Sequence, residues 1–448
     1  MTSSANAERG GPIALFITKP KGESMLSDGT AKAQRMAEAV ARGSYGKLIA
    51  YLALHTRDVT QAEDALSEAF ASALADWPLN GCPLNPEAWL MAVARRKAID
   101  AARRRESGEA AGEHLHLLAE ELSAMQTAQE DIPDHRLALM LACAHPAIEA
   151  GIRSPLILQV VLGLNAARIA SAFRTSPAAM SKRLVRAKEK INQSGIAFSI
   201  PEREDMPRRL EPVLDAIYAA FSEGWTDPGG TDAARRDLTE EALFLARLLT
   251  NLLPREPEPQ GLLALMLYAE ARRCARRNAE GEYVPLAEQD PSLWNEAMIN
   301  EAELLLRHAS SLGSIGRYQL EGALQSAHVH RCRTGDADWA SVVRLYEALW
   351  LITGSPVVAV NRALAIAELK GPHLALQAMQ EVGDDVRLKE YQSYWAARAE
   401  LLVKAGEYTE AGNAYEIAIG LETDPAVRRF LQKRQAALRG SPLPWRQP

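Results

Sequence analysis

The chain has 448 residues, of which 47% are hydrophobic and 24% are charged. These fractions are ordinary for a globular protein, and they exclude a disordered chain, a fibrous protein and a bundle of membrane helices. The net charge of −6 does not indicate a nucleic-acid partner. It is uneven, however: residues 1–200 carry a net +2 and residues 201–448 a net −8. Such asymmetry favours a nucleic-acid-binding module joined to a different domain.

Several whole-chain features indicate compartment and fold class. The four cysteines, Cys82, Cys143, Cys274 and Cys332, include no C-x-x-C pair, which fits a reducing cytoplasm. No apolar run reaches 18 residues, so we expect no membrane span. Residues 1–30 are rich in Gly, Ser and charge and predict a mobile tail. Apolar residues then recur with helical spacing almost throughout, which predicts an all-α fold.

The first clear amphipathic helix is predicted over residues 61–75, where seven apolar side chains form one stripe. Thr60 and Glu63 fit a T-x-x-E capping box at its start. The opposite, exposed face of this helix carries three polar residues: Asp64, Ser67 and Glu68.

A turn and a basic helix follow. Residues 77–86 read WPLNGCPLNP, and this content of Pro, Asn and Gly interrupts a helix. Asn85 suits the N-cap of the next helix, and Pro86 suits its first position. Residues 86–106 carry six basic and three acidic side chains. The basic ones are Arg95, Arg96, Lys97, Arg103, Arg104 and Arg105.

The next segments are an acidic linker and a second basic module. Residues 107–133 hold six acidic side chains and no Lys or Arg. Helix 167–173, turn 174–176 and helix 177–191 are then the parts of a helix-turn-helix. Ser176 suits the N-cap of the second helix. The six basic residues of 174–190, against one acidic residue, predict a DNA-facing helix.

The C-terminal half predicts further helices with Pro- and Gly-rich breaks. Gly335, Gly371 and Gly406 recur 36 and 35 residues apart, and the last unit has the small and aromatic residues of a tetratricopeptide. No nucleophile motif, P-loop or dinucleotide fingerprint is present, so we expect neither an enzyme nor a cofactor. His328, His330 and Cys332 are two residues apart on a predicted helix and point in different directions, so we predict no metal site.

Three segments carry a family resemblance. AEDALSEAFASAL (62–74) and NPEAWLMAVARRKAIDAARRR (85–105) resemble region 2 of bacterial extracytoplasmic-function sigma factors. LNAARIASAFRTSPAAMSKRLVRAKEKI (164–191) resembles their region 4. The long C-terminal extension resembles a subgroup with a fused regulatory domain in place of a separate anti-sigma partner.

The resemblance implies a domain order. It consists of a mobile tail (1–30), region 2 (31–106), an acidic linker (107–133), region 4 (134–198), a helical domain (199–330) and tetratricopeptide-like repeats (331–440). The linker of this family threads toward the active centre and RNA exit path of the polymerase. An acidic segment suits a channel that accepts RNA because it offers a similar charge.

The resemblance also implies partners and site residues. Core RNA polymerase would bind through its β′ clamp and β subunits, with Asp64, Ser67 and Glu68 against the clamp. The basic residues from Arg95 to Arg105 named above would hold phosphates at the −10 element, where the preceding loop captures an unstacked base. The −35 element would be contacted by Arg174, Ser181, Lys182, Arg183, Arg186 and Lys188. Arg168 departs from the family pattern, since an acidic residue is expected there.

Two questions stay open at this level. The C-terminal domain either covers the basic modules or is needed for activity, and its repeats would suit a protein or peptide partner. The rival to a sigma factor is a helix-turn-helix regulator or adaptor with a repeat platform for a peptide, which would act only beside another sigma factor.

Overall fold

The computed structural model describes residues 28–105, 134–173, 175–202, 204–225 and 233–440. Within these ranges the regular structure is helical and contains no β-strand, which confirms the predicted all-α fold class. None of the described helices is long and apolar enough to cross a membrane. The first 27 residues of the predicted tail (1–30) and the predicted acidic linker lie outside the described residues, whereas residues 28–30 are helical.

The chain divides into two compact units, and the first holds both predicted modules. Its described part runs from residue 28 to 225 and from 233 to 245. Its helices are α1 (Asp28–Thr56), α2 (Val59–Asn80), α3 (Pro86–Arg105), α4 (Arg136–Cys143), α5 (Ala150–Leu162), α6 (Ala166–Ala172), α7 (Pro177–Gln193) and α8 (Met206–Trp225). α9 (Ala233–Leu252) begins in this unit and ends in the second.

Helix α1 forms the centre of the first unit. It packs against α2 and α3 on one side and against α4 and α5 on the other. Gly46 lets α1 approach α5 so closely that an added Cβ would lie 2.2 Å from the carbonyl oxygen of Val161. Every residue from Leu137 to Cys143 in α4 is buried. The two predicted modules therefore form one continuous core rather than two bodies joined only by a linker.

Helix α8 also belongs to the first unit, which departs from the predicted domain boundary at residue 199. It packs against α4 and α5 and buries one apolar stripe, including Val213, Ile217 and Phe221. The sequence indicated this helix but not its partners, because an apolar stripe does not identify the surface that covers it.

The second unit is a succession of paired helices from residue 246 onward. They are α10 (Pro257–Ala271), α11 (Glu296–Ser311), α12 (Arg317–Thr334), α13 (Trp339–Thr353), α14 (Pro356–Lys370), α15 (Pro372–Gln380), α16 (Val386–Lys389), α17 (Gln392–Ala405), α18 (Tyr408–Leu421) and α19 (Pro425–Gly440). Gly406, with φ +85°, follows the last residue of α17, and the connection to α18 consists of Gly406 and Glu407. That connection makes α17 and α18 an antiparallel hairpin. Small buried residues such as Ala411 and Ala418 line it, together with buried Tyr415.

The contact between Gly46 and Val161 predicts the first stability effect. Gly46→Ala should lower the free energy of unfolding by about 1–3 kcal/mol, because backbone lies where the new methyl group would go. Gly43→Ala is the matched control on the same helix, since an added Cβ there meets nothing within 4 Å. Urea unfolding of both variants checks the prediction, and equal midpoints would contradict it.

Candidate nucleic-acid and polymerase interface

The predicted polymerase-contacting residues share one face of α2. Asp64 and Glu68 are exposed, and Ser67 between them is half-buried. Lys97 of α3 reaches this face, and its Nζ lies 3.2 Å from Oε2 of Glu68. The structure thus pairs a carboxylate predicted to contact the polymerase with a cation predicted to contact DNA. Both side chains are exposed enough for solvent to weaken the pair.

The start of α2 differs from the predicted capping box. Asp58, not Thr60, is the N-cap, and its Oδ1 accepts from the backbone N–H groups of Thr60 and Gln61. The connection from α1 contains only Arg57 and Asp58, so α2 begins at Val59, before the predicted cap. Thr60 therefore lies inside the first turn.

The predicted turn over 77–86 is shorter in the structure. α2 continues through Pro78 to Asn80, and the turn is reduced to residues 81–85. Pro78 has no N–H group, so one hydrogen bond of the helix is missing. The Gly81 N–H donates to the Trp77 carbonyl and so closes the last turn of α2. The Trp77 ring is buried and meets Trp89 of α3 edge-on at 5.5 Å between centroids.

Two apolar side chains are exposed beside the basic helix, Leu79 near the end of α2 and Leu84 in the turn. Leu79 is 84% exposed, and Leu84 has no shielding at all. Asn85 caps α3 as predicted, because its Oδ1 accepts from the Ala88 N–H at 3.0 Å. An exposed leucine on a short turn, as Leu84 is, resembles the apolar wedges with which proteins separate stacked bases.

The basic cluster of α3 is only partly exposed to solvent. The Arg95 guanidinium lies over the Tyr51 ring at 4.8 Å from its centroid, a cation–π geometry that fixes the side chain. Arg96 is exposed, and Lys97 contacts Glu68 as described above. Helix α3 extends to Arg105, while the side chains of Arg103, Arg104 and Arg105 lie outside the described residues.

Helices α6 and α7 form the predicted pair of short helices joined by a tight turn. Asn165 caps α6 by accepting from the Arg168 N–H, and Ser176 caps α7 by accepting from the Ala179 N–H. The inward stripe of α7 is buried as predicted and consists of Met180, Leu184, Ala187 and Ile191. Local capping and patterning alone are sufficient to explain these elements.

The predicted −35 residues fall into three environments. Ser181, Lys182 and Arg186 are exposed on α7. Arg183 Nη2 lies 3.5 Å from Oε1 of Glu149. Arg174 lies outside the described residues.

The predicted environment of one residue in this set, Lys188, was wrong. It was predicted on an open face, but only 9% of its side chain is exposed, and its Nζ lies 2.6 Å from Oε2 of Glu63 in α2. The helical pattern of α7 predicted that Lys188 lies opposite the buried stripe of this helix. It could not predict that α2 covers part of that opposite face. In this arrangement Lys188 neutralises a carboxylate rather than a phosphate.

The capping-box interpretation obscured the environment of Glu63, the partner of Lys188. It lies four residues after Val59 and three before Leu66, both buried, so it interrupts the apolar stripe. Burial raises the pKa of its carboxyl, and the charge of Lys188 opposes that rise. An acidic residue inside an apolar stripe was the signal that could have identified it.

Arg168, the departure from the family pattern, also contacts a carboxylate in the first unit. Its Nη2 lies 3.6 Å from Oε1 of Glu241 in α9. Within the described ranges, no group of three or more His, Cys, Asp or Glu side chains is placed to hold a metal ion.

Comparisons with known proteins agree with this arrangement of helices. Residues 42–108 match the family model of sigma-70 region 2, and residues 209–310 match a family of unknown function, DUF6596. The chain is 36% identical over 401 residues to "Uncharacterized protein R00370" of Rhizobium meliloti (strain 1021). That alignment covers 89% of this chain and 93% of the Rhizobium protein. No solved structure matches the chain.

The chain belongs to the family that this Rhizobium protein represents, a sigma factor family by its region 2 domain. Region 2 is a domain of transcription factors without enzymatic activity. Its presence implies core RNA polymerase and promoter DNA as binding partners.

Proposed function

We propose that the protein is a sigma factor of the extracytoplasmic-function type, which recruits core RNA polymerase to promoters with −10 and −35 elements. The observation that carries this proposal is the region 2 match over residues 42–108, followed in the same chain by the helix pair α6–α7 that the sequence predicts as a helix-turn-helix. A single helix-turn-helix would fit many regulators. A region 2 domain ahead of it favours initiation.

At the −35 element, the N-terminal half of α7 would enter the major groove. Ser181, Lys182 and Arg186 are exposed there, and recognition helices contact base edges through their first turns. Arg186 can make bidentate contacts with guanine, while Lys182 is suited to phosphate or guanine. Arg174 and Arg183 are proposed as phosphate contacts.

At the −10 element, turn 81–85 and helix α3 would act together. Arg96 and the cations at the end of α3 would hold the phosphates, and Leu84 would contact a base taken from the stack. The buried Trp77, packed against Trp89, supports the turn from below. Flipping a base out of the stack costs a few kcal/mol. A turn that is already ordered before binding adds little conformational entropy loss to that cost.

The exposed face of α2 would bind the polymerase through Asp64, Ser67 and Glu68. The second unit would regulate initiation, and its paired helices support a tetratricopeptide-like surface for a protein or peptide partner. The spacing of Gly335, Gly371 and Gly406 fits this interpretation, since each has a positive φ at the end of a helix.

Removing one phosphate-contacting cation should change the salt dependence of promoter binding. Lys182→Gln should reduce the slope of log K against log salt by about 0.9. The reason is that one phosphate fewer is neutralised, so its condensed counterion is not released on binding. Lys190→Gln, which removes the same charge from the same helix, is the control and should leave the slope unchanged. A titration between 50 and 200 mM salt, about the range in which such slopes are measured, distinguishes them. Equal slopes for all three proteins would remove Lys182 from the interface.

Transcription in vitro separates the proposal from its rival. With core RNA polymerase alone, the purified protein should initiate transcripts at a discrete set of promoters. Mapping transcripts after overexpression supplies those promoters. Initiation that occurs only after another sigma factor is added would instead identify a regulator or adaptor.

Truncation tests the regulatory role of the second unit. Because α8 completes the core of the first unit, the cut belongs after Leu245 rather than at the predicted boundary near residue 199. Transcription should change in the truncated protein: a rise indicates an inhibitory domain, and a loss indicates a required one. Unchanged transcription would contradict a regulatory role.

A further inference from the structure

A cavity of about 530 Å³ lies within the second unit, where the end of α12 meets α11 and the beginning of α13. This volume falls in the range of small-molecule sites, roughly 300–1,000 Å³. Its apolar lining includes Ile299, Val342 and Leu345. A few polar side chains stand among these apolar ones, and that combination is typical of a site for a small organic compound.

Arg331 of α12 lines this cavity without a partner for its charge. Its guanidinium lies over the Trp339 ring at 5.4 Å from the centroid, which holds the side chain against the wall. Among the described residues Arg331 has no ion pair, and its Nε is buried without a hydrogen-bond partner. A guanidinium stays charged and has five N–H donors, so leaving a buried donor unsatisfied costs free energy that an accepting ligand would recover.

The acidic side chains of the lining are bound elsewhere or exposed. Glu303 Oε1 accepts hydrogen bonds from the hydroxyl groups of Tyr268 and Ser326. Asp338 is the N-cap of α13 and accepts from a backbone N–H of its first turn. Asp336 is exposed. These carboxylates therefore leave Arg331 without a counter-charge, but their own charge disfavours a ligand that carries more than one negative charge.

His328 adds an uncharged polar group to the same wall. Burial, together with the charges of Arg331 and Arg272, lowers its pKa to about 4. The imidazole is therefore neutral at physiological pH and has one N–H donor and one acceptor nitrogen. Arg333 also lines the cavity, but it is exposed, so water solvates its charge. The cavity thus combines one partnerless guanidinium with neutral polar and apolar surface.

We propose that this cavity binds a small organic monocarboxylate, which pairs with the Arg331 guanidinium and lays its apolar body against the apolar lining. A carboxylate matches the planar fork of a guanidinium through two parallel hydrogen bonds. One negative charge balances the one partnerless cation, whereas a phosphate dianion would also be repelled by Glu303 and Asp338. Binding of this ligand goes beyond the proposed function and does not rest on it.

Titration of the full-length protein with sodium hexanoate, followed through the NMR signals of the probe, tests the site. Hexanoate should bind at one saturable site. Hexanamide has nearly the same shape without the charge, and it should bind roughly tenfold more weakly or worse, because hydrogen bonds to a charged acceptor are the stronger ones. Inorganic phosphate should also bind more weakly than hexanoate. This comparison needs no variant, so it does not depend on how well a variant folds.

Variants assign the binding to Arg331. Arg331→Gln should weaken hexanoate binding by roughly tenfold or more and leave hexanamide binding nearly unchanged, since only the charged contact is lost. Arg331→Lys keeps the charge without the planar fork and should give an intermediate affinity. Arg344→Gln is the matched control, because Arg344 is exposed on α13 and does not line the cavity. Ala327→Phe places a ring in the cavity and should weaken the binding of both probes.

Equal affinities for hexanoate and hexanamide in the wild type would overturn the proposal, as would full hexanoate affinity in Arg331→Gln. Tighter binding of phosphate than of hexanoate would overturn the monocarboxylate as the ligand class. Acetyl-Ala-Ala-Leu with a free C-terminal carboxylate separates a small acid from the end of a protein chain: tighter binding of this peptide than of hexanoate would overturn the small-molecule ligand. None of these titrations includes DNA or polymerase, so their outcome is separate from that of the proposed function.

Discussion

The close packing of α1 against both halves of the first unit determines the arrangement of everything attached to it. Its other faces carry α2 and α3, while Gly46 brings its backbone against Val161 of α5. A side chain larger than hydrogen at that position would push the two halves apart. In the same unit α7 contacts α2, where Lys188 pairs with Glu63.

This packing changes what the charge distribution means. By sequence, α3 and α7 carry basic clusters that are predicted to face a polyanion. In the folded unit several of these cations already have carboxylate partners on neighbouring helices: Lys97 with Glu68, Arg183 with Glu149 and Lys188 with Glu63. Solvent screens the exposed pairs, so each contributes little to stability. The buried pair of Lys188 and Glu63 is screened much less.

The comparisons and the structure support the same assignment at different levels. The region 2 domain identifies the family as one of sigma factors. The helix pair α6–α7, predicted as a helix-turn-helix, supplies the second DNA contact of the proposal. The second unit contributes paired helices and a match to a family of unknown function, so its role is a proposal that depends on the truncation test.

The sequence determined the elements whose causes are local. Ser176 and Asn85 act as caps where expected, and the apolar stripe of α7 is buried, because capping and periodicity depend on residues within a few positions. The sequence misplaced the start of α2, because Asp58 and Thr60 are both acceptable caps. Since α1 ends at Thr56, the chain turns at Arg57 and Asp58, and Asp58 becomes the cap. Only the tertiary structure decided that α8 joins the first unit and that Lys188 meets Glu63 across 125 positions. A helical pattern specifies which side chains are polar, but the neighbour that covers them is set by packing between distant segments.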